Sequence, residues 1–269
     1  MTDTTAPVLV ARDGPIARVV LNRPGALNSL DLGFASLLLE TVLELDADPG
    51  CTVIAIEAAG RAFCTGGDVS AIMGAAEPEL YLRELATVSA EVFRVLEQTD
   101  AVVVCAVDGM TAGAGIAFVL AADIVVATPG AVFLSAYGDV GLVPDCGVTV
   151  SLPRTIGRRR ALDFTLSGRP VRAIEALEWQ LVTEIVPRAD LAARIDERAT
   201  ALAARPAHVA AATKRLLRTD PAVHAERLEE EVDVLVELLA TPQTRALLDA
   251  EHDRQRARRA RTTATAAAV

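Results

Sequence analysis

Residues 60–68 read GRAFCTGGD and follow the β-branched, apolar run CTVIAIEAA of residues 51–59. Such a run predicts a buried strand, and the segment VSAIMGAA after the quoted stretch predicts a helix. A plain turn between a strand and a helix does not need two adjacent glycines followed by an acid. Glycine lets a loop expose its backbone N–H groups and lets another group approach them closely. The stretch therefore predicts a loop whose amides bind something outside the loop.

A second loop of this kind follows the next buried strand, where the run 101–107 ends in DGMTAGAG at 108–115. A dinucleotide-binding loop requires GxGxxG, but Phe118 stands where the third glycine belongs. A phosphate-binding loop requires Gly-Lys-Ser or Gly-Lys-Thr, which neither loop contains. Two interpretations remain: tight turns with close packing, or a pair of loops that together bind one anion.

The rest of the sequence predicts the strands and helices that position these loops. Alternating runs at 8–13 and 16–21 predict a β-hairpin, and apolar residues at helical spacing predict a helix over 30–48. Strand and helix signals then alternate, which favours an α/β or α+β core with crossover connections. After about residue 189 only helical patterns remain. We therefore divide the chain into a core at 1–200 and a helical region at 201–269.

Composition excludes several classes of function. The net charge of −10 argues against a nucleic-acid-binding protein, although RQRARRAR at 254–261 is a basic stretch. The most apolar segment, 101–126, is interrupted by two aspartates and is too short in its uncharged part to span a membrane. The N-terminus lacks the pattern of a signal peptide, and the four cysteines show no CxxC spacing. We expect a cytoplasmic protein with reduced thiols and no metal site.

Three segments, taken in order, resemble one known family. GRAFCTGGD, the stretch VDGMTAGAGIAFVLAADIVVAT and residues 133–187 are similar to the crotonase (enoyl-CoA hydratase/isomerase) family, and the similarity runs from about residue 8 to 218. The resemblance implies a spiral of ββα turns with a helical C-terminal trimerisation region. It also implies an acyl-CoA thioester as ligand, no cofactor beyond the coenzyme A of that substrate, and a homotrimer or a dimer of trimers.

The resemblance also assigns roles to the two glycine-rich loops. It places the two donors of an oxyanion hole on the backbone N–H groups of Gly67 and Ala114. It gives the side chain of Asp68 a structural role as the cap of the following helix, and Asp123 a structural role as well. The backbone that brackets the adenine would be that of Ala62, Cys64, Thr65 and Gly66.

The carboxylates decide which reaction the resemblance implies. Family hydratases use two glutamates, and the aligned positions hold Ala117 and Tyr137, which cannot act as carboxylate bases. Tyr137 either fills the space of the missing glutamate or orients a thioester or water. Asp145 aligns with the single acid of family isomerases, and its apolar neighbours favour a raised pKa. The alternative is that Asp145 caps the next helix, which would lower its pKa.

Two further positions are less specific. Cys146 has no histidine nearby in sequence and is interpreted as a packing residue. Arg254 aligns with a family lysine that contacts phosphate, although a basic residue on a helix is often only solvated. The sequence predicts a site pattern closest to the single-carboxylate enoyl-CoA isomerases. The alternatives are an enoyl-CoA hydratase (a lyase) of fatty-acid β-oxidation and a non-catalytic acyl-CoA-binding module.

Overall fold

The computed structural model describes residues 5–218 and 221–266, and within them strands and helices alternate before helices alone continue. The strands are β1 (Val8–Asp13), β2 (Ile16–Leu21), β3 (Val53–Ala58), β4 (Ala62–Cys64), β5 (Val102–Val107), β6 (Met110–Ala112), β7 (Ile124–Ala127), β8 (Val132–Leu134), β9 (Val171–Arg172) and β10 (Glu184–Ile185). The helices are α1 (Leu32–Ala47), α2 (Val69–Gly74), α3 (Pro78–Gln98), α4 (Gly115–Ala121), α5 (Val148–Ile156), α6 (Arg158–Ser167), α7 (Ala173–Glu178), α8 (Leu191–Ala203), α9 (Ala207–Leu217), α10 (Pro221–Leu239) and α11 (Pro242–Ala266). This mixture confirms the predicted α/β class, and the shift to helices follows β10.

Two sheets carry the strands of the described residues. The larger sheet has the order β1-β2-β3-β5-β7-β10, in which β1 and β2 form the predicted antiparallel hairpin and the other pairs are parallel. The smaller sheet has the order β4-β6-β8-β9, with β4, β6 and β8 mutually parallel. The chain therefore visits the larger sheet, then the smaller one, then a helix, and repeats this ββα turn along the spiral.

The spiral brings the two glycine-rich loops side by side. β4 and β6 are parallel neighbours, with Cys64 paired to Thr111. Loops that leave the same end of neighbouring parallel strands meet at one edge of the sheet. The loop at 65–68 and the loop at 113–114 therefore emerge next to each other, each leading into a short helix, α2 or α4.

The strand and the helix next to the two loops pack into one hydrophobic core. Phe63 of β4 and Phe118 of α4 meet edge to face with ring centroids 5.8 Å apart, and Phe93 of α3 packs on Phe118 at 4.7 Å. All three side chains are fully buried. The four cysteines are also buried and carry free thiols.

The helical C-terminal region packs back on the core. Helix α10 lies against α3, and α11 lies against α2. Side chains of both helices reach the edge of the smaller sheet at which the two loops emerge. Within the described ranges, none of the helices has the length and apolarity that crossing a bilayer would require.

Candidate active site

The first loop owes its shape to Gly66. Its φ of +83° lies in the left-handed region that favours glycine. A Cβ at this position would stand 3.1 Å from both the carbonyl oxygen of Ala112 and the amide nitrogen of Ala114. The two loops are thus in direct backbone contact, and the first of the two adjacent glycines is required by that contact.

The second loop is pressed equally closely against the first strand. A Cβ at Gly115 would stand 2.3 Å from the carbonyl oxygen of Cys64. Gly113 adopts φ +53° and donates its amide to the carbonyl of Leu134 at 3.2 Å. This close packing leaves Ala114 at the first turn of α4, beside Gly66.

The amides of Asp68 and Gly113, which flank Gly67 and Ala114 in the two loops, donate to backbone carbonyls. Leu30 donates to the carbonyl of Gly66 at 2.7 Å, and Asp68 donates to the carbonyl of Leu30 at 2.8 Å. Neither Gly67 nor Ala114 donates its own N–H to another residue in the described part of the chain. These two amides, on loops in backbone contact, are therefore available as hydrogen-bond donors.

Both amides belong to residues that line a cavity of about 330 Å³. The polar part of the wall includes Thr65, Gly66, Gly67, Gly113, Ala114, Tyr137 and Asp145. The apolar part includes Val69, Ile72, Leu82, Leu85, Leu142 and Leu235. A larger cavity of about 680 Å³ lies beside Lys214 and His224, but neither loop reaches it. The chemistry of the wall therefore identifies the smaller cavity as the candidate site.

Asp145 and Tyr137 form a hydrogen-bonded pair in the wall of this cavity. The Tyr137 hydroxyl donates to Asp145 Oδ1 at 2.8 Å, and both side chains are buried. Burial raises the pKa of Asp145, while the hydrogen bonds from Tyr137 and Cys146 act in the opposite direction. Burial likewise raises the pKa of Tyr137 well above its ordinary value. The tyrosine is therefore a stable neutral donor that holds one carboxylate oxygen.

The capping alternative for Asp145 does not fit the observed contacts. Helix α5 begins at Val148. Its N-cap residue is Gly147, which has no side chain with which to cap the helix. The Asp145 side chain bonds to Tyr137, so it is not used by the helix amides. Cys146 is buried beside it, and burial raises the pKa of its thiol well above the ordinary value, which suits a packing residue.

The two aspartates assigned structural roles both have them. Asp68 is the N-cap of α2, and its Oδ1 accepts from the amides of Ser70 and Ala71. Asp123 accepts from the amide of Val103 at 2.8 Å and pairs with the buried Lys214 at 2.6 Å. Both carboxylates therefore stabilise the fold, and neither lines the wall of the candidate cavity.

Several sequence-predicted site residues lie away from the cavity wall. Ala62 and Cys64 are buried in β4, and Ala117 is buried in α4 within the core. Arg254 is exposed on α11 and pairs with Glu251 at 2.8 Å. The cavity is lined on that side by Arg258, one helical turn further along α11. Of the predicted contacts, the structure thus brings together those of the two loops, Tyr137 and Asp145.

Sequence reasoning missed the part of the wall that comes from the C-terminal helices. Leu235 of α10 and Gln255 of α11 line the cavity, and the Glu231 carboxylate of α10 is buried behind Asp145. In the sequence, Glu231 is one of several acids in EEEVDVLVELL, residues 229–239. Such a run usually indicates an acidic, solvent-exposed face of a helix. Burial of one of these acids cannot be read from that pattern.

Comparison with known proteins places these features in one family. The family model described as enoyl-CoA hydratase/isomerase matches residues 11–254. The chain is 34% identical to the 1,2-epoxyphenylacetyl-CoA isomerase of Escherichia coli, over 71% of this chain and 74% of that one. It is 36% identical to a probable enoyl-CoA hydratase of Rhodobacter capsulatus, over 74% and 76%. The crystal structure of an enoyl-CoA hydratase from Bacillus halodurans superposes with a TM-score of 0.85 at 25% identity, covering 91% of this chain and all of the other.

Proposed function

This chain belongs to the enoyl-CoA hydratase/isomerase family of the crotonase superfamily, and on that premise we propose that it shifts the double bond of an enoyl-CoA. Asp145 is the proton shuttle in this proposal, and the amides of Gly67 and Ala114 form the oxyanion hole. The observation that carries the proposal is the position of the Asp145 carboxylate in the same cavity wall as those two unpaired amides.

The two amides would bind the thioester oxygen of the substrate. When a proton leaves the α carbon, negative charge moves onto that oxygen, and two fixed N–H donors stabilise the resulting enolate. Removal of one such donor from an enzyme typically costs about 3 kcal/mol, or a hundredfold or more in rate. Ala114 supplies an N–H as a glycine would, because the donor is a backbone atom.

One carboxylate is sufficient for the whole shift. Asp145 takes a proton from the α carbon of a 3-enoyl thioester, and the electron pair spreads into the carbonyl and the adjacent double bond as a dienolate. The same carboxyl group then returns the proton to the γ carbon, which gives the 2-enoyl product and restores the carboxylate. The raised pKa of Asp145 supports this role, because a base whose pKa lies nearer neutrality can both accept and return the proton.

Deuterium exchange at the α carbon of a 3-enoyl-CoA in heavy water tests the proposal. We expect Asp145→Asn to lower the exchange rate at least about a hundredfold, the usual contribution of a general base. Asp163→Asn is the matched control, because Asp163 is exposed on α6 and pairs with Arg169. Equal exchange by wild type and Asp145→Asn would remove Asp145 from the mechanism.

The same samples separate the other two candidate functions. Hydration of a 2-enoyl-CoA at ordinary enzymatic rates, without the double-bond shift, would identify a hydratase and overturn the isomerase proposal. Tight binding of an acyl-CoA in calorimetry, with neither exchange nor conversion, would identify a binding module. No cofactor beyond the coenzyme A of the substrate enters the proposed reaction.

The oligomeric state and the cellular location of the protein are also part of the proposal. We propose a trimer or a dimer of trimers, and two leucines on α9 support the burial of that face in an assembly. Leu216 and Leu217 are 87% and 82% exposed in the single chain. Light scattering that returns the mass of a single chain would contradict this part. The four free cysteines support a cytoplasmic location.

A further inference from the structure

Glu231 of α10 holds the backbone immediately after Asp145. Its Oε2 accepts from the amide of Gly147 at 2.8 Å, and its Oε1 accepts from the amide of Thr149 at 3.1 Å. The Thr149 hydroxyl donates to the same Oε1. One carboxylate from a helix more than eighty residues away thus binds three donors at the start of α5. It supplies the helix cap that no residue of this segment supplies for itself.

The turn held by Glu231 has a backbone conformation that needs support. Cys146 has φ +58°, which a non-glycine residue rarely adopts, and Gly147 has φ +79°. A non-glycine residue in this conformation is strained and persists only where its surroundings impose it. A Cβ at Gly147 would stand 2.5 Å from Nε2 of His224, which also belongs to α10. Helix α10 therefore packs closely on the turn at His224 and is hydrogen-bonded to it through Glu231.

The burial of Glu231 is costly, which argues for a specific use. The residue is 4% exposed, and its partners in the described part of the chain are the three donors of residues 147 and 149 rather than a cation. Placing a carboxylate in such surroundings is expensive, even with its hydrogen bonds made. An exposed acid on the same helix, such as Glu230 paired with Arg227, carries no such cost.

We propose that Glu231 is a positioning residue for Asp145. This proposal rests on the proposed function, since it assumes that Asp145 moves the proton. The carboxylate of Glu231 fixes the turn at 146–149, and the turn fixes the direction in which Asp145 leaves the backbone. Helix α10 also contributes Leu235 to the cavity wall, so one helix sets both the apolar surface and the acid of the site. The C-terminal region is then part of the reaction machinery of its own chain.

The electrostatic surroundings of Glu231 determine how this role can be measured. Asp145 and Cys146, just before α5, interact electrostatically with Glu231. His224 of α10 lies against Gly147, and its Nδ1 donates to Oε2 of Glu97 on α3 at 2.7 Å. Burial raises the pKa of Glu231 to about 7, and the charge of Asp145 contributes to that rise. Since the charge of Asp145 opposes the ionisation of Glu231, Asp145 ionises first, and Glu231 is mostly uncharged below about pH 7. Replacement of Glu231 by the neutral glutamine should therefore affect the position of Asp145 and leave the pKa of Asp145 nearly unchanged.

The test compares the pH profile of the double-bond shift in wild type, Glu231→Gln and Glu230→Gln. We expect Glu231→Gln to lower kcat on the order of tenfold with little change in KM, because a displaced base affects the proton transfer and not the binding of the thioester. The acid limb of kcat/KM should stay in place, since Glu231 carries little charge in the pH range where Asp145 ionises. Glu231→Asp should restore part of kcat, and Glu230→Gln should match wild type.

Two further variants, Thr149→Val and Asp145→Asn, separate the positioning role from the proposed function. Thr149→Val removes one of the three donors and keeps the turn, so we expect a smaller loss of kcat even if Glu231→Gln does not fold. Asp145→Asn is measured in parallel. If Asp145→Asn retains the exchange activity, the proposed function and this inference both fail. If Asp145→Asn abolishes it while Glu231→Gln and Thr149→Val leave kcat per folded enzyme unchanged, only the positioning role is overturned.

Discussion

The two sides of the cavity are built in different ways. The loop wall, residues 65–67 and 113–114, consists of backbone that follows two paired strands at once. The acid wall, residues 137–147, contains a short 3-10 helix and left-handed residues, and its conformation depends on contacts with α10. The loop wall is shaped by neighbours in sequence and by the sheet, whereas the acid wall is shaped by a helix far along the chain.

This difference predicts how each wall responds to change. In the loop wall, the proposed donors are backbone atoms, so only a substitution that moves the backbone affects them. In the acid wall, the proposed base is the carboxylate of a side chain, and several groups adjust its direction and its pKa. We therefore expect single large losses in the first wall and graded, pH-dependent losses in the second.

The largest effect is expected for Gly66→Ala in the loop wall. The new Cβ would lie 3.1 Å from Ala112 O and Ala114 N, at a φ of +83° that alanine rarely adopts. Moving either loop separates the two donors, so we expect kcat to fall about a hundredfold or more. The strain should also lower the free energy of unfolding by about 1–3 kcal/mol. Steady-state kinetics and urea denaturation measure the two effects.

Gly74→Ala is the matched control for this variant. Gly74 ends helix α2, its φ is not positive, and a Cβ there would meet nothing within 4 Å. We expect unchanged kcat and a free energy of unfolding that is unchanged or slightly higher. If Gly66→Ala behaves like Gly74→Ala, the loop wall does not depend on close backbone contact, and the contrast between the two walls is lost.

A smaller effect on kcat, together with a shift of the pH profile, is expected for Tyr137→Phe in the acid wall. The variant removes the hydrogen bond to Asp145 Oδ1, which favours the ionised carboxylate. The pKa of Asp145 should therefore rise, and the acid limb of kcat/KM should move to higher pH, whereas no such shift is expected for Glu231→Gln. We also expect kcat to fall by about tenfold, because the carboxylate loses a fixed partner.

The other tyrosine of the chain provides the control. The hydroxyl of Tyr81 accepts from the amide of Leu32 at 3.0 Å, so Tyr81→Phe also removes one hydrogen bond of a tyrosine. We expect no movement of the acid limb in that variant. Equal shifts of the acid limb in Tyr137→Phe and Glu231→Gln would mean that both act through general loosening of the acid wall rather than through the hydrogen bond to Asp145.

The loop wall could be predicted from sequence because its determinants are local. Strand, glycine and helix signals lie within about ten residues of each other at both loops, and the resemblance placed the donors on Gly67 and Ala114. The hairpin, the long helices and the late all-helical region are confirmed for the same reason. Periodicity and turn residues act over short stretches of chain.

The acid wall could be predicted only in part. Asp145 was identified by resemblance, but its partner Tyr137 was interpreted mainly as a space-filling residue, and its hydrogen bond depends on how residues 137–145 fold back. Glu231 was missed because burial of one acid in an acidic helix depends on which face packs on α5. Arg258, rather than Arg254, lines the cavity, because the pattern cannot fix the rotation of α11. Long-range packing determines each of these positions.

The smallest effect concerns stability, and it belongs to the acid wall alone, since the loop wall contains no titratable side chain. Burial raises the pKa of Glu231 from 4.5 to about 7. Between these values the folded protein binds more protons than the unfolded chain, so the free energy of unfolding falls as the pH rises and levels off above about 7.

Urea denaturation at about pH 5 and about pH 8 measures this dependence. We expect wild type to lose on the order of 1 kcal/mol or more over this range from Glu231. Glu231→Gln should lose less, because the glutamine does not ionise. A residual slope of the same sign should persist from Asp145, whose pKa burial also raises, and should decrease in Asp145→Asn. Equal slopes in wild type and Glu231→Gln would mean that Glu231 ionises near its ordinary pKa. Its three hydrogen bonds to the turn, which favour the carboxylate, would then offset the cost of its burial in full.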